Sequence, residues 1–351
     1  MSTRRVMDGL VAAVAVTSLM AIPVAAQQKP APGSRPQASS AVPEARGPKS
    51  GARKAYSPPR TPWGDPDIHG VFTNNDESGI PIERPNQFEG KQLEDVSEGE
   101  LQQLRDQRET QRVAAAPNLG GIPGTNPVHW FENFGAKNSR AWSLIDPPDG
   151  RIPPTTEEAR SRPAVRAGSS FGGGPFNSHQ DFSLYDRCIT RGIPGSMMPA
   201  IYGNAYEIVQ GPGWVGIRYE MIHEARIVPL DGRPHVGRGV QLDMGDARGH
   251  WEGDTLVVET TNFTRRSAYR NANPEAFKLV ERFKPISPDL VEWAVTINDP
   301  TTWTRPWTFA MNLTKGGADK QPFEYACHEG NYGMENMLHA ARKAERDAAT
   351  K

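Results

Sequence analysis

The chain has 351 residues, a net charge of −1, 36% hydrophobic residues, 34 glycines and 32 prolines. The length allows one large domain or two small ones. The charge balance excludes a protein drawn electrostatically to nucleic acid or to an anionic membrane, and the apolar content suffices for a core but not for a membrane protein. Glycine and proline together make roughly a fifth of the chain, against about 12% on average, which predicts many turns and long irregular connections.

Arg4 and Arg5 are followed by an apolar run from Leu10 to Ile22 and then by Val24-Ala25-Ala26. A basic start, a short apolar stretch and small residues at the end form the pattern of a secretory signal peptide, with the cut expected after Ala26. Thr3-Arg4-Arg5 is a partial twin-arginine match, and a chance arginine pair in a general secretory signal is its simpler reading. The apolar run is too short for a good membrane span, and no second one follows. The protein is therefore expected to be exported, periplasmic or extracellular, with no transmembrane segment after cleavage. Residues 27 to 60 are rich in Pro, Ala, Ser and Gly, have almost nothing to bury, and read as a disordered linker.

The ordered part opens at "TPWGDPDIHGVFTNN", with a short strand near Ile68 to Thr73. Ser97 and Glu100 form a capping box at the start of a helix that runs to Val113, with Leu101, Leu104 and Val113 as a thin apolar stripe. The stretch 117 to 182 is loop-rich, with a short strand at Arg140 to Ile145 and the rings Trp130, Phe131, Phe134 and Trp142. It is expected, as part of an extension over 61–182, to cover one end of the domain that follows.

From 183 the pattern changes to strands joined by tight turns. "NAYEIVQ" and "GWVGIRY" flank Gly211-Pro212-Gly213, and "HEARIVP" ends at Leu230-Asp231-Gly232. "GHW" and "DTLVVETTNF" flank Glu252-Gly253-Asp254, and "FKLVERFK", "DLVEWAVTI", "RPWTFAMNL" and "FEYAC" follow. No strand–helix alternation is present, which excludes a doubly wound fold. The fold class is mainly β: an antiparallel meander closing into a barrel or a strongly curled sheet over 183–347, ending in a helix from Gly333 to Asp347 with Met334, Met337, Leu338 and Ala341 on one side. The only cysteines, Cys188 and Cys327, are expected to form a disulfide if the chain reaches an oxidising compartment. The rival is a Cys327 thiolate assisted by His328, but neighbours on a strand point to opposite faces.

Gly168-Ser169-Ser170-Phe171-Gly172 matches a nucleophile-elbow motif by letter, but it lies in a glycine-rich loop with no strand before it. His223, His235, His250 and His328, with Glu224 or Asp246, are the only candidates for a metal. Their spacing is not diagnostic, so no metal is assigned and no cofactor class follows. Acid–base chemistry fits residues 218 to 239 better. On one strand over 214–228, Tyr219, Met221, His223 and Ile227 share one face, while Arg218, Glu220, Glu224 and Arg226 share the other. A bend near Glu220 to Ile222 would break that alternation. The bland reading is an ion-pair ladder on a solvated face. The functional one makes His223, Glu224 and Tyr219 catalytic candidates. Arg226, Arg238, His235, His250 and Trp251 are then ligand-binding candidates, with Arg233 and Arg248 as further partners for a carboxylate or phosphate.

Four stretches, "LIDPPDGRIPP" (144–154), "YEMIHEARIVPLDGRPH" (219–235), "GDARGHWEGDTLVVETTNF" (245–263) and "FEYACHEGNYGMEN" (323–336), carry a resemblance. The chain from Thr61 onward resembles a family of uncharacterised exported bacterial proteins. That resemblance implies export and a shared architecture, and it transfers no catalytic residue. The strand pattern is also similar to lipocalin-type barrels. The expected function is an exported small-molecule-binding barrel. The alternatives are an acid–base enzyme (lyase, isomerase or hydrolase) using His223, Glu224 and nearby arginines, and a structural or interaction module of the cell envelope.

Overall fold

A computed structural model describes residues 56–120, 131–163, 176–317 and 321–350. The expected signal peptide, nearly all of the linker, Trp130 and the Ser170 motif lie outside the described residues.

Ten strands form one antiparallel sheet: β1 (Gly70–Thr73), β2 (Leu144–Asp146), β3 (Ala205–Gly211), β4 (Trp214–Tyr219), β5 (Ala225–Pro229), β6 (Asp246–Glu252), β7 (Thr255–Thr261), β8 (Lys278–Ser287), β9 (Leu290–Asn298) and β10 (Trp307–Lys315). Their order is β5-β4-β3-β1-β10-β9-β8-β7-β6, with β2 also paired to β10. The two ends of the order, β5 and β6, come together, so the sheet is nearly closed into a barrel. Gly249 marks the closing seam: a Cβ there would lie 2.7 Å from Val228 and Leu230 side-chain carbons.

The turns follow the local chemistry. Gly213 (φ +78°) and Gly253 (φ +59°) take the left-handed position in the β3–β4 and β6–β7 hairpins, where a side chain would be strained. Alternation then decides which side chains enter. Tyr206, Ile208, Ile217, Tyr219, Val228, Leu256, Val258, Leu279, Phe283, Trp293, Val295, Ile297, Trp307, Phe309 and Met311 are buried and belong to one contiguous core. Trp293 meets Phe309 edge-on, with ring centroids 5.8 Å apart.

The meander does not run uninterrupted along the chain. β1, from the segment expected to cover the barrel, lies between β3 and β10 in the sheet, and β2 pairs with β10. The strand expected at 323–327 is irregular, and Phe323 is exposed. α1 (Glu98–Gly120) starts at the expected capping box, with the Ser97 amide donating to Glu100 Oε2 at 3.0 Å. Leu101 and Leu104 are buried, but Val113 is exposed, because the end of the helix runs past the core. A short helix, α2 (Glu157–Ser161), lies between β2 and β3 in the chain, and α3 (Tyr332–Ala349) follows β10, with Met334, Met337, Leu338 and Ala341 half-buried. Cys188 and Cys327 are disulfide-bonded, with Cα atoms 5.7 Å apart. That bond anchors the irregular 323–331 segment to the loop before β3, and it leaves no Cys327 thiol for His328. No helix among the described residues is long and apolar enough to cross a membrane.

Candidate ligand site at one end of the barrel

The residues singled out in the sequence fall in three separate places. Tyr219 and Arg226 are inside the barrel. Arg226 makes a two-pronged ion pair with Glu281 (2.6 and 2.8 Å), and the Trp293 indole donates to the same carboxylate at 3.0 Å. Burial works against the Arg226 charge, but Glu281 outweighs it and raises the pKa. Tyr219 is fully buried beside this pair, and desolvation pushes its phenol far up. Trp251 also turns inward, onto the core.

The second place is the outer face of the β6 side. His235 Nδ1 lies 2.9 Å from Asp246, which also accepts from Arg248 (2.6 Å), and His235 Nε2 lies 3.5 Å from Glu259. His250 is exposed against Glu252 (3.1 Å), Arg238 is exposed, and Arg233 pairs with Asp231. This is largely the ion-pair ladder of a solvated face. The five ligand-binding candidates thus form no common site.

The third place is the β4–β5 connection. The expected single strand over 214–228 is broken: β4 ends at Tyr219, and Met221–His223 form a 3₁₀ turn. Ile222 (φ +63°) and His223 (φ +47°) are both left-handed. A β-branched residue in that region is an outlier that costs on the order of 1–3 kcal/mol, and such strain gathers at functional loops. The bend considered near Glu220 to Ile222 is therefore present, and it breaks the alternation: Tyr219 and Arg226, on opposite faces of a continuous strand, are both buried. Ile227 is exposed, Arg226 enters the barrel, and His223 leaves it.

Around this turn several polar side chains meet at one end of the barrel. Glu220 is buried and accepts from the Ala205 amide at 3.1 Å. Burial raises its pKa above the ordinary carboxylate value, and the neighbouring Glu132 carboxylate raises it further. Glu132, from the loop before β2, accepts from Asn75 (3.3 Å) and Asn204 (3.5 Å) side chains. Tyr206, fully buried, donates its hydroxyl to Asn74 at 3.1 Å and senses the charges of Arg191, Glu132 and Glu220. Arg191 stacks over the Tyr185 ring at 5.7 Å, and its buried Nη1 has no hydrogen-bond partner among the described residues. The Asn75 and Asn133 side-chain oxygens are likewise buried without partners there.

A tyrosine wall completes the cluster. Tyr202 and Tyr325 stack with centroids 6.2 Å apart, and their hydroxyls lie 3.1 Å apart. Desolvation, and then Tyr202, push the Tyr325 phenol far up. His223 Nδ1 lies 2.8 Å from the Tyr325 carbonyl. A carbonyl only accepts, so Nδ1 carries the proton and Nε2 is left as a lone pair in the neutral ring. Glu224 is more constrained. It accepts from Thr190 (2.8 Å), the Arg191 amide (3.3 Å) and Ser196 (3.4 Å), and burial raises its pKa. Those bonds tie the loop carrying Arg191 to the strained turn.

The cluster offers two interacting carboxylates, one guanidinium with a spare donor, amide oxygens and phenols. Such a set orients a polar small molecule or moves a proton. Among the described residues no group of three or more His, Cys, Asp or Glu side chains is placed to hold a metal ion. His223 lies on the β4–β5 turn, whereas His235 and His250 lie on the β6 side and pair with different carboxylates, Asp246 and Glu252. Sequence reasoning reached Glu220, Glu224 and His223 but missed Glu132, Arg191, Tyr185, Tyr202 and Tyr325.

Fold and site together define a mainly β, nearly closed barrel with an elaborated polar end. Comparison with known proteins returns no match: no family profile, no curated protein and no solved structure is similar to the chain.

Proposed function

We propose that the chain is an exported protein that binds a small polar molecule at the loop end of the barrel, over Glu132, Glu220, Arg191 and the tyrosine wall. The observation that carries this reading is the convergence of charged and phenolic side chains, Glu132, Glu220, Arg191, Tyr202 and Tyr325, at one end of the barrel. Inside the barrel, packed rings such as Trp293, Trp307, Phe283 and Phe309 fill the space, and open polar atoms there, among them Trp307 Nε1 and Tyr219 Oη, are isolated on single rings. At the end, buried polar atoms of Arg191, Asn75 and Asn133 lack partners among the described residues. Buried polar groups are ordinarily satisfied, so atoms left open together suit a ligand. The disulfide and the basic, apolar, small-residue N-terminal pattern support export, as does the resemblance carried by the four long motifs. A thermal-shift screen of polar metabolites tests the binding. A hit should stabilise the wild type and lose its effect in both Glu220→Gln and Arg191→Met. Hits that stabilise both variants fully would refute this site.

A second reading, an acid–base enzyme, is favoured by the interacting Glu132 and Glu220 carboxylates, with His223 on the turn that follows Glu220. Two carboxylates in unequal environments divide into an acid and a base. Here Glu220 would hold the proton and His223 would accept one, while Glu224 would position the Arg191 loop. Turnover that falls in Glu220→Gln and follows a bell-shaped pH profile would favour this reading over simple binding.

A further inference from the structure

A second candidate site lies on the outer surface of β3, β4 and β5 and uses no residue of the loop-end cluster. In the antiparallel register, Gly211, Trp214 and Pro229 form one cross-strand row, Val209, Gly216 and Ile227 the next, and Glu207, Arg218 and Ala225 the third. All three rows face outward, because the alternate residues Ile208, Ile217 and Val228 are core. The indole lies flat on the sheet. A Cβ on Gly211 would collide with Cε2, Nε1 and Cζ2 together, and one on Gly216 would lie 3.3 Å from Cζ3. The two glycines therefore form a floor beneath one face of the ring, and the other face is presented to solvent. Trp214 is 37% exposed, Val209 41% and Ile227 60%, an unusual concentration of bare apolar surface on one row and its neighbour.

The next row supplies polarity. Arg218 Nε donates to Glu207 at 2.8 Å, and both side chains reach solvent (47% and 32% exposed). That bond leaves the terminal guanidinium nitrogens of Arg218 and one Glu207 oxygen to take other partners. An open aromatic face beside a donor–acceptor pair matches a ring that is apolar on one face and hydroxylated at its rim. We propose that this platform binds a pyranose ring of an oligosaccharide. The ring's C–H face would lie on Trp214 between Val209 and Ile227, and its hydroxyls would bond Arg218 and Glu207. Glycine inside a strand commonly marks a place where something approaches closely.

The test is retention of the intact protein on an array of diverse oligosaccharides, followed by titration of each retained glycan. The expected result is binding that weakens about ten-fold or more in Trp214→Ala, weakens less in Arg218→Gln, and partly survives in Trp214→Phe. Circular dichroism melting would be run alongside. A Trp214→Ala variant that melts near the wild type yet loses the glycan supports the site. Should Trp214→Ala fail to fold, Ile227→Lys probes the same platform from its most exposed edge. No retained glycan, retention indifferent to these substitutions, or sedimentation showing that the patch instead pairs two copies of the chain would each overturn the proposal.

Discussion

Replacing Arg226 with methionine should destabilise the barrel severely, and the structure sets the scale. The Arg226 and Glu281 side chains are 5% and 0% exposed and are joined at 2.6 and 2.8 Å, with the Trp293 indole on the same carboxylate at 3.0 Å. Losing the arginine strands a carboxylate in the core, at a cost of about 3–5 kcal/mol. In a domain of this size that corresponds to a drop in melting temperature of roughly 6–20 °C, at about 2–4 °C per kcal/mol. The double variant Arg226→Met/Glu281→Gln removes the stranded charge and keeps an acceptor for Trp293. It should recover most of the loss, because replacing both partners of a buried pair is often close to neutral. Urea unfolding followed by tryptophan fluorescence and far-ultraviolet circular dichroism reads both. If the single variant costs under about 1 kcal/mol, or the double variant costs as much as the single, the pair is not a closed buried unit and the barrel interior is misassigned.

The disulfide joins residues 139 apart, so Cys188→Ala/Cys327→Ala should lose about 5 kcal/mol on chain-entropy grounds. Two alkylatable thiols in unreduced native protein would contradict the pairing. Burial raises the Glu220 pKa in the folded state. Its contribution is therefore fully present below the unfolded value near ~4.3 and is lost as pH rises through the folded value. Glu220→Gln does not titrate, so its stability relative to the wild type should improve as pH rises above the unfolded value and level off beyond the folded one; a flat or opposite difference would argue against burial. The proposed export with cleavage after Ala26 would give a mature chain beginning at Gln27, which N-terminal mass spectrometry of protein from the natural host checks; a chain that keeps Met1 would contradict it.

The sheet was legible because period-two burial and tight glycine turns are local signals. Val215, Ile217 and Tyr219 alternate with outward Gly216 and Arg218, and Gly213 and Gly253 stand where hairpins need positive φ. The insertion of β1 between β3 and β10 was not legible, since no local pattern in Gly70–Thr73 names partners more than 130 residues away. The strained turn was hidden for a different reason. Ile222, a β-branched residue, disfavours the left-handed region it occupies, so propensity gives no sign of the break; a bend near Glu220 to Ile222 could be named only as an alternative, and the inward face of 214–228 stayed open. The candidate site was only partly visible. Glu220, His223 and Glu224 fall in one conspicuous polar stretch, but Glu132, Arg191, Tyr202 and Tyr325 sit in irregular segments far apart in the chain, brought together by the folded barrel. Conversely, the histidines and arginines of 233–250 stand out in the sequence and in the structure mostly answer their own carboxylates.

The proposed function stands or falls on a ligand held at the loop end. Native mass spectrometry of the protein purified from its natural host tests it most directly. The expected result is a bound small molecule of defined mass on the wild type and its absence from Arg191→Met and Glu220→Gln variants that fold normally. The same molecule retained by both variants would contradict the assignment of the site.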